Sequence, residues 1–247
     1  RRKVGSFAHS HVPGTLEAYA PPEGPADPVV VARTVARVKE KIECLKTSDF
    51  WCKTLQLLLE ALQDSPSFSD IRDDSGPCPR LVCLGIGSAE SSSSSVCQLA
   101  LAWLLAEELG IPERSWADPQ MRAADVDAGH ELGFTRQEGL DQLTSKRVLL
   151  FMPHCDRPLY ETVLSGIAGS DKEVGTPLAD VVLLGNSFQV YRERDEMKLV
   201  TTGPGAARPD GILQQLYPVV VERPLPAFPG LPEAFNDLSL MTFPPKK

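Results

Sequence analysis

The pattern of apolar and polar positions divides the chain into short buried strands that alternate with amphipathic helices. The most informative stretch runs from Leu81 to Pro112, where the apolar run LVCLGIG precedes a serine-rich turn and a long amphipathic segment. A near-continuous apolar run is typical of a strand buried on both faces of a parallel sheet. Gly110 and Pro112 mark the end of the helix. The stretch therefore predicts the opening strand, turn and helix of a doubly wound α/β domain.

Further strands are predicted where the same apolar pattern recurs, at residues 147–152 (RVLLFM), 179–184 (ADVVLL) and 217–222 (YPVVVE). A short second strand is predicted in SWADPQM, and it ends at Asp118-Pro119. A polar helix and turn are predicted over 122–140, and a further helix over 158–167. Strands that alternate with helices indicate a parallel sheet. We therefore predict an α/β fold with a three-layer, Rossmann-like and mostly parallel sheet.

Two helices are predicted before the first strand. Asp27 and Pro28 form a helix start, with a capping carboxylate followed by proline at the first helical position. An apolar stripe at spacings of three and four follows, and a second helical stretch runs from Ser48 to Leu62. We expect these extra N-terminal helices to pack on the sheet or to cover its edge.

The two ends of the chain lack this periodicity. Residues 1–28 are rich in Pro, Gly and charge, which predicts a flexible arm. Residues 223–247 carry six prolines and are predicted to form a tail that lies extended over the surface. We therefore expect one α/β domain over residues 29–222. The chain begins at Arg1 rather than at Met, so we expect the native amino terminus to be missing.

Composition indicates a globular protein of a reducing compartment. The chain of 247 residues is 42% hydrophobic and 23% charged, with a formal net charge of -8. An acidic chain argues against direct nucleic-acid binding but allows regulatory protein partners. The six cysteines are widely spread, which is unlike a secreted disulfide framework, and no apolar run is long enough for a membrane span. We expect the cytosol, or the cytosol and the nucleus; the oligomeric state stays open.

Polar residues and glycines follow each of four predicted strands. In an open α/β sheet, ligands bind outside the carboxyl ends of the strands. The side chains that follow these ends should therefore meet at one crevice. The candidate ligand-binding residues are Gly85, Gly87 and Ser88 after the first strand, Asp118 after the second, Pro153 and His154 after the third, and Asn186 and Ser187 after the fourth.

The turn after the first strand is compatible with two interpretations. Gly85 and Gly87 allow close approach of a ligand to the backbone, but Glu90 replaces the third glycine of a dinucleotide fingerprint. A carboxylate there would repel a pyrophosphate, which disfavours ordinary NAD binding. S-adenosylmethionine carries no phosphate, and Asp118 is placed to hold its ribose. The alternative is a tight glycine turn with serines that cap a helix.

His154 is the only histidine predicted at the crevice. It is a candidate general base or metal ligand, and the alternative is a structural histidine bonded to backbone. One histidine beside Cys155 is two ligands short of a zinc site, and Cys155 lacks a second base that would make it a nucleophile. Asn186 and Ser187 could bind a substrate, although capping of the next helix is the safer interpretation.

Two other motifs contain possible metal or haem ligands. His9 and His11 form an H-x-H pair in the N-terminal arm, without a further ligand nearby. Cys78 and Pro79 match the short Cys-Pro motif of haem-responsive regulatory proteins. An ordinary loop cysteine is the alternative for Cys78, and a solvated arm is the alternative for the histidine pair.

Four segments, in chain order, resemble the sensitivity-to-red-light-reduced (SRR-like) family. They are LGIGSAESSSSSVCQLALAWLL, ADPQM, FMPHCDRPLYETVL and VVLLGNSFQVY, and the similarity covers roughly residues 79–191. The serine run and the 122–140 segment depart from the plainer family pattern. The family positions in this sequence are Gly85, Gly87, Asp118, Pro153, His154, Asn186 and Ser187.

The resemblance implies a regulatory role rather than a defined reaction. In plants the family acts in the circadian clock and in light signalling, and in animals in clock-gene expression and in regulation of haem biosynthesis. Three hypotheses follow from the sequence: a regulatory protein that binds a small molecule or haem, a methyltransferase-like enzyme that uses S-adenosylmethionine, and an interaction scaffold with a degenerate pocket.

Overall fold

The computed structural model describes residues 24–64, 79–137, 139, 147–169, 177–202 and 211–244. Within these residues, the fold is built on a seven-stranded sheet. The strands are β1 (Arg80–Leu84), β2 (Glu113–Ala117), β3 (Thr135–Arg136), β4 (Val148–Met152), β5 (Val181–Asn186), β6 (Val221–Pro224) and β7 (Leu238–Thr242). Their order is β3-β2-β1-β4-β5-β7-β6. Strands β1 to β5 are parallel, and β7 runs antiparallel to β5 and β6. The prediction of a Rossmann-like, mostly parallel α/β sheet is confirmed.

Helices cover both faces of this sheet. They are α1 (Pro28–Lys46), α2 (Asp49–Asp64), α3 (Ser93–Glu108), α4 (Ala123–Glu131), α5 (Arg157–Ala168), α6 (Phe188–Thr202) and α7 (Ile212–Leu216), with short 3-10 turns at Pro177–Asp180 and Pro232–Ala234. Successive side chains of a strand point to opposite faces. In β1, Leu81 and Cys83 therefore pack in a core with α1 to α4, whereas Val82 and Leu84 pack in a second core with α5, α6 and α7.

The helix α1 begins as its sequence predicts and also reaches the loop after β1. The Asp27 carboxylate accepts the N–H of Val29 at 2.8 Å, and the predicted apolar stripe of α1 is buried. On another side of the helix, the guanidinium of Arg37 donates to the carbonyl oxygens of Ala89 at 3.1 Å and of Glu90 at 3.0 Å. An N-terminal helix thus holds the turn that precedes α3.

The prediction that residues 223–247 form a Pro-rich tail extended over the surface is wrong for the most apolar part of this segment. Residues 238–242 form β7, which is fully buried between β5 and β6 and is paired along its length with β5. The prolines cluster on either side of this segment, so they leave five consecutive backbone N–H groups available for pairing. The predicted strand at 217–222 is shifted as well, because β6 spans Val221–Pro224.

The segment between these two strands, residues 225–237, is termed here the β6–β7 connection. Strand β6 runs in the same direction as β1 to β5, so this connection starts at the carboxyl edge of the sheet. Its Phe228 and Phe235 are buried and pack on Phe50 of α2, with ring centroids 5.2 and 4.8 Å from the Phe50 ring. The connection is therefore anchored to the α1–α4 core.

A partly buried charge network centred on the buried Asp195 joins the three helices of the opposite face. Arg157 of α5 donates from one nitrogen to both oxygens of Asp195 on α6, at 2.7 and 2.9 Å. Gln214 and Tyr217 donate to the same carboxylate at 2.8 and 3.1 Å. Burial alone would raise the pKa of Asp195, but the hydrogen bonds from Arg157 and Tyr217 outweigh it and hold that pKa below its ordinary value.

Several sequence-based predictions fall on parts of the chain outside the described residues. They concern most of the N-terminal arm, the pair of His9 and His11, and the haem-ligand candidate Cys78. The start of the domain at residue 29 stays a prediction, whereas β7 continues the sheet beyond the predicted end at residue 222. Across the described ranges, every helix is too short or too polar to cross a membrane.

Replacing Asp195 by asparagine should make stability less sensitive to acid. A carboxyl whose pKa is lower in the folded chain stabilises the fold above its unfolded pKa, about 3.9, and this contribution is lost as pH falls through the folded pKa. Asp195→Asn should cost about 2 kcal/mol at pH 7, because it weakens hydrogen bonds to a charged acceptor while Arg157 keeps Glu161 as a partner. Urea unfolding should show a steeper loss of stability below about pH 5 in the wild type than in the variant.

The matched control is Glu196→Gln on the same helix, because Glu196 is an exposed partner of Arg192 at 3.7 Å. An exposed pair contributes less than about 1 kcal/mol, so this variant should follow the wild type. The proposed role of the network would be contradicted if the free energy of unfolding depended on pH in the same way in wild type and in Asp195→Asn.

Candidate functional site

The carboxyl ends of four strands lie side by side, because β2, β1, β4 and β5 are adjacent and parallel. Direct contacts join the loops that follow them. The N–H of Gly87, after β1, donates to Oδ2 of Asp118, after β2, at 2.8 Å. The thiol of Cys155, after β4, donates to the carbonyl of Leu84 at 3.2 Å. The structure thus places the residues that follow these four strands at one edge of the sheet, and their role in ligand binding stays a prediction.

Glycine is required twice in the loop after β1. Gly85 and Gly87 have φ angles of 75° and 81°, in the left-handed region that other residues rarely adopt. A Cβ at Gly85 would collide with the sulfur of Cys155, and one at Gly87 would lie 2.8 Å from the hydroxyl oxygen of Ser95. The glycines therefore form a tight turn and allow close packing against β4 and α3.

Carboxylates occupy backbone N–H groups of this loop that a phosphate would need. Besides the bond from Gly87 to Asp118, the N–H of Glu90 donates to Oδ1 of Asp125 at 2.8 Å. The carboxylate of Glu90 pairs with Arg122 at 3.1 Å. A phosphate bound in the loop between β1 and α3 would displace these acceptors and face their charge. The loop is therefore a poor phosphate site, because Asp118 and Asp125, as well as Glu90, place carboxylates there.

Asp118 is a partly buried carboxylate held from two sides. Its Oδ1 accepts the N–H of Gln120 at 2.7 Å, and its Oδ2 accepts the N–H of Gly87. Burial raises the pKa of Asp118, whereas the two backbone hydrogen bonds oppose that rise. Each carboxylate oxygen keeps a second lone pair, so the group still has acceptor capacity for a hydroxyl of a ligand.

The side chain of Asn186 links the end of β5 to the loop after β4. Its Oδ1 accepts the N–H of His154 at 2.8 Å, and its Nδ2 donates to the carbonyl of Cys155 and the hydroxyl of Tyr191, both at 2.9 Å. Its own N–H donates to the hydroxyl of Tyr160 at 2.7 Å. Asn186 therefore holds both the N–H of His154 and the carbonyl of Cys155, which lie on either side of the peptide bond between these two residues.

His154 has an unusual backbone conformation. Its φ of 54° lies in the left-handed region, although it is not glycine, and the residue is exposed at the edge of the sheet. Such a conformation costs about 1–2 kcal/mol for an ordinary L-residue. The ring Nε2 lies 3.3 Å from the carbonyl oxygen of Ala234 in the β6–β7 connection. The imidazole is thus held against this connection.

Cys155 and Tyr160 stabilise the site through hydrogen bonds to backbone carbonyls and are poor candidates for a chemical step. Burial, with the charges of Asp118 and Asp156, raises the pKa of the Cys155 thiol. A protonated thiol that donates to a carbonyl is a poor nucleophile. Burial also raises the pKa of Tyr160, whose hydroxyl donates to the carbonyl of Met152.

The remaining candidates occupy structural positions at the same edge. The hydroxyl of Ser187 accepts the N–H of Val190 at 3.2 Å and so caps α6. Pro153 is buried where β4 ends. Ser88 is 3% exposed, and its hydroxyl has no hydrogen-bond partner within the described ranges.

Sequence reasoning missed the residues that hold the site together. Asp125, Tyr160, Tyr191 and Ala234 follow no predicted strand end, and three of them act through a hydroxyl or a backbone carbonyl. For Tyr160 and Tyr191 the available signal was their position beside the MPHC and LGNSF segments of the family resemblance. Asp125 and Ala234 carry no comparable signal.

Comparison with known proteins identifies relatives of the chain. A model of the SRR1 domain family matches residues 55–242, from α2 to the end of β7. A mouse protein named SRR1-like protein is 28% identical over 203 residues, which cover 70% of this chain and 80% of the mouse protein. The Arabidopsis thaliana protein SENSITIVITY TO RED LIGHT REDUCED 1 is 31% identical over 175 residues, 64% of this chain and 58% of the plant protein. No solved structure matches the chain significantly.

Glycine at position 154 should stabilise the fold. His154→Gly relieves the left-handed strain but loses the imidazole and its 3.3 Å contact with Ala234, so it should raise the free energy of unfolding by no more than about 1 kcal/mol. His154→Val should lower it, because a β-branched residue is least tolerated at positive φ. Urea unfolding of the purified variants measures both changes.

Asp237→Gly is the matched control, because Asp237 is exposed in the β6–β7 connection and has a φ of 57°. It should give a similar gain through the same relief of strain. A loss of stability in His154→Gly that Asp237→Gly does not share would show that the imidazole is needed for folding.

Proposed function

This chain belongs to the SRR1 domain family, and on that premise we propose that it is a regulatory protein that binds a small molecule at the carboxyl edge of its sheet. The binding surface comprises the loops after β1, β2, β4 and β5. Within it, His154 and Asp118 provide the principal polar contacts, and Asn186 supports the position of His154. Gly85 and Gly87 let the backbone pass close to β4 and α3.

The observation that carries this proposal is the strained backbone of His154. Strained non-glycine residues cluster at binding and catalytic sites, where the surrounding structure offsets their cost. Here the cost is offset by Asn186, which accepts the His154 N–H at 2.8 Å. The exposed imidazole contributes little burial to the fold, so its contribution is expected in a contact with another molecule.

The polar groups of this edge favour a ligand without phosphate. Asp118 and the imidazole can accept hydrogen bonds, whereas the N–H groups of Gly87 and Glu90 are occupied by carboxylates. A ligand with hydroxyl, amine or amide groups matches this arrangement better than a nucleotide does. Specificity in such a pocket comes from a few placed polar groups in apolar surroundings.

The processes regulated are those that the family resemblance implies. We propose circadian clock-gene expression and haem biosynthesis, with regulatory proteins as partners and the cytoplasm and nucleus as the sites of action. The name of the Arabidopsis relative refers to red-light sensitivity, which supports a signalling role for this family. The acidic net charge of -8 favours protein partners over direct nucleic-acid contact.

A methyltransferase-like enzyme is the second candidate, favoured by the sheet. Its order β3-β2-β1-β4-β5-β7-β6, with one antiparallel strand beside the last, is also the order of class I methyltransferases. S-adenosylmethionine fits the loop chemistry because it carries no phosphate, and Asp118 retains lone pairs for ribose hydroxyls. When bound, it would supply an activated methyl group. Among the described groups, His154 would be the candidate proton acceptor.

Haem fits the described residues less completely. His154 is the one sequence-predicted haem ligand within the described ranges, and its Nε2 lies 3.3 Å from the Ala234 carbonyl. Haem ligation would therefore require His154 to leave this contact, with Cys78 as the other proposed ligand.

A small molecule should co-purify with the native protein and depend on His154. Mass spectrometry of extracts should detect it with wild type and with Asp237→Gly, and at least tenfold less with His154→Gly, because only the latter removes the imidazole. S-adenosylmethionine and haem are added as defined probes in calorimetric and absorbance titrations. Equal recovery from His154→Gly, or no enriched molecule, would contradict the ligand site and favour an interaction scaffold.

The proposed regulatory role in clock-gene expression and haem biosynthesis is tested in cells depleted of the protein. Restoring wild type or Asp237→Gly should recover the rhythm of a clock-gene reporter and the cellular haem content, whereas His154→Gly should not. Immunoblots confirm equal protein levels, which matters because both glycine variants are expected to be stable. Full recovery by His154→Gly would separate the regulatory role from the proposed site.

A further inference from the structure

We infer that the His154 imidazole is held as the Nε2–H tautomer, so that Nδ1 is the acceptor that this edge presents to a ligand with an N–H or O–H group. The tautomer follows from the contacts of the folded chain alone. Its consequence for the ligand rests on the proposed function. Ala234 and Asn186 are then positioning residues that act through His154.

The first step concerns the backbone of His154. The Asn186 Oδ1 accepts its N–H at 2.8 Å, and the Asn186 Nδ2 donates to the carbonyl of the next residue, Cys155, at 2.9 Å. Two hydrogen bonds from one side chain therefore hold the left-handed turn. The direction in which the Cα–Cβ bond of His154 points is fixed by these contacts.

The second step concerns the carbonyl that faces the ring. The Ala234 oxygen lies 3.3 Å from Nε2 of His154 and accepts Nε2 of Gln98 at 3.0 Å. Gln98 is buried, and the neighbouring Phe235 stacks on Phe50 of α2 with centroids 4.8 Å apart. The acceptor is therefore fixed in place by a buried amide and by the aromatic core.

The third step is the choice of tautomer. A backbone carbonyl oxygen only accepts hydrogen bonds, so the ring nitrogen that contacts it must carry the proton in the neutral imidazole. Neutral histidine has one protonated nitrogen, and the other is an acceptor. The proton on Nε2 thus leaves the lone pair on Nδ1, which has no hydrogen-bond partner within the described ranges.

The test is ¹⁵N NMR of the wild-type protein with ¹⁵N-labelled histidine, at about pH 8.5, where a free imidazole is neutral. His154→Gln identifies the His154 signals by their loss. The expected spectrum shows a protonated Nε2 and an unprotonated Nδ1 for His154. A protonated Nδ1, or two nitrogens with similar averaged shifts, would overturn the inference. This result is independent of whether any ligand is found.

The positioning role of Asn186 is tested in the same spectra. Asn186→Ala removes the acceptor of the His154 N–H, so the two ring nitrogens should move towards averaged shifts. The matched control is Asn236→Ala, an exposed asparagine of the β6–β7 connection, which should leave the tautomer unchanged. If Asn186→Ala does not fold, Tyr191→Phe, which removes one hydroxyl partner of Asn186, replaces it. An unchanged tautomer in these folded variants would overturn the positioning role.

Discussion

The carboxamide of Asn186 is the contact on which the carboxyl edge of the sheet depends. Its oxygen accepts from His154, and its nitrogen donates to Cys155 and Tyr191, so one side chain joins β5, the loop after β4 and α6. Only an amide supplies both an acceptor and donors at this size. The carbonyl of Cys155 and the hydroxyl of Tyr191 are partly buried, and each would cost about 1–3 kcal/mol if left unpaired. The left-handed turn is therefore set by the next strand rather than by its own sequence.

The sheet was predictable because its central strands carry their own signal. The apolar runs of β1, β4 and β5 are buried on both faces, and the helices between them require parallel connections. β7 has no comparable local signal. Its five residues lie between two proline clusters, and its antiparallel pairing with β5 brings together segments that are distant in the chain. Because the surrounding sequence is rich in proline, this buried strand next to the sheet edge was not predicted.

The candidate site was predictable by position but not by contact. The strand-end rule located Gly87, Asp118, His154 and Asn186, because parallel strands place their carboxyl ends together. It did not indicate that Asp118 binds the Gly87 N–H, across 31 residues of chain, or that Asp125 binds the Glu90 N–H, across 35. Such pairings depend on tertiary packing, and no local pattern specifies the partner. The same two carboxylates decide that phosphate is disfavoured.

The strained backbone of His154 and its unused hydrogen-bond acceptor both indicate a role for Nδ1 of the imidazole. Glycine at position 154 would satisfy the backbone without cost, whereas histidine loses about 1–2 kcal/mol in this conformation. The ring recovers little of that through burial because the residue is exposed. Its Nε2 is taken by the Ala234 carbonyl, whereas Nδ1 stays unused within the described ranges. A molecule that donates a hydrogen bond to Nδ1 would offset the strain, which gives the left-handed histidine a physical reason.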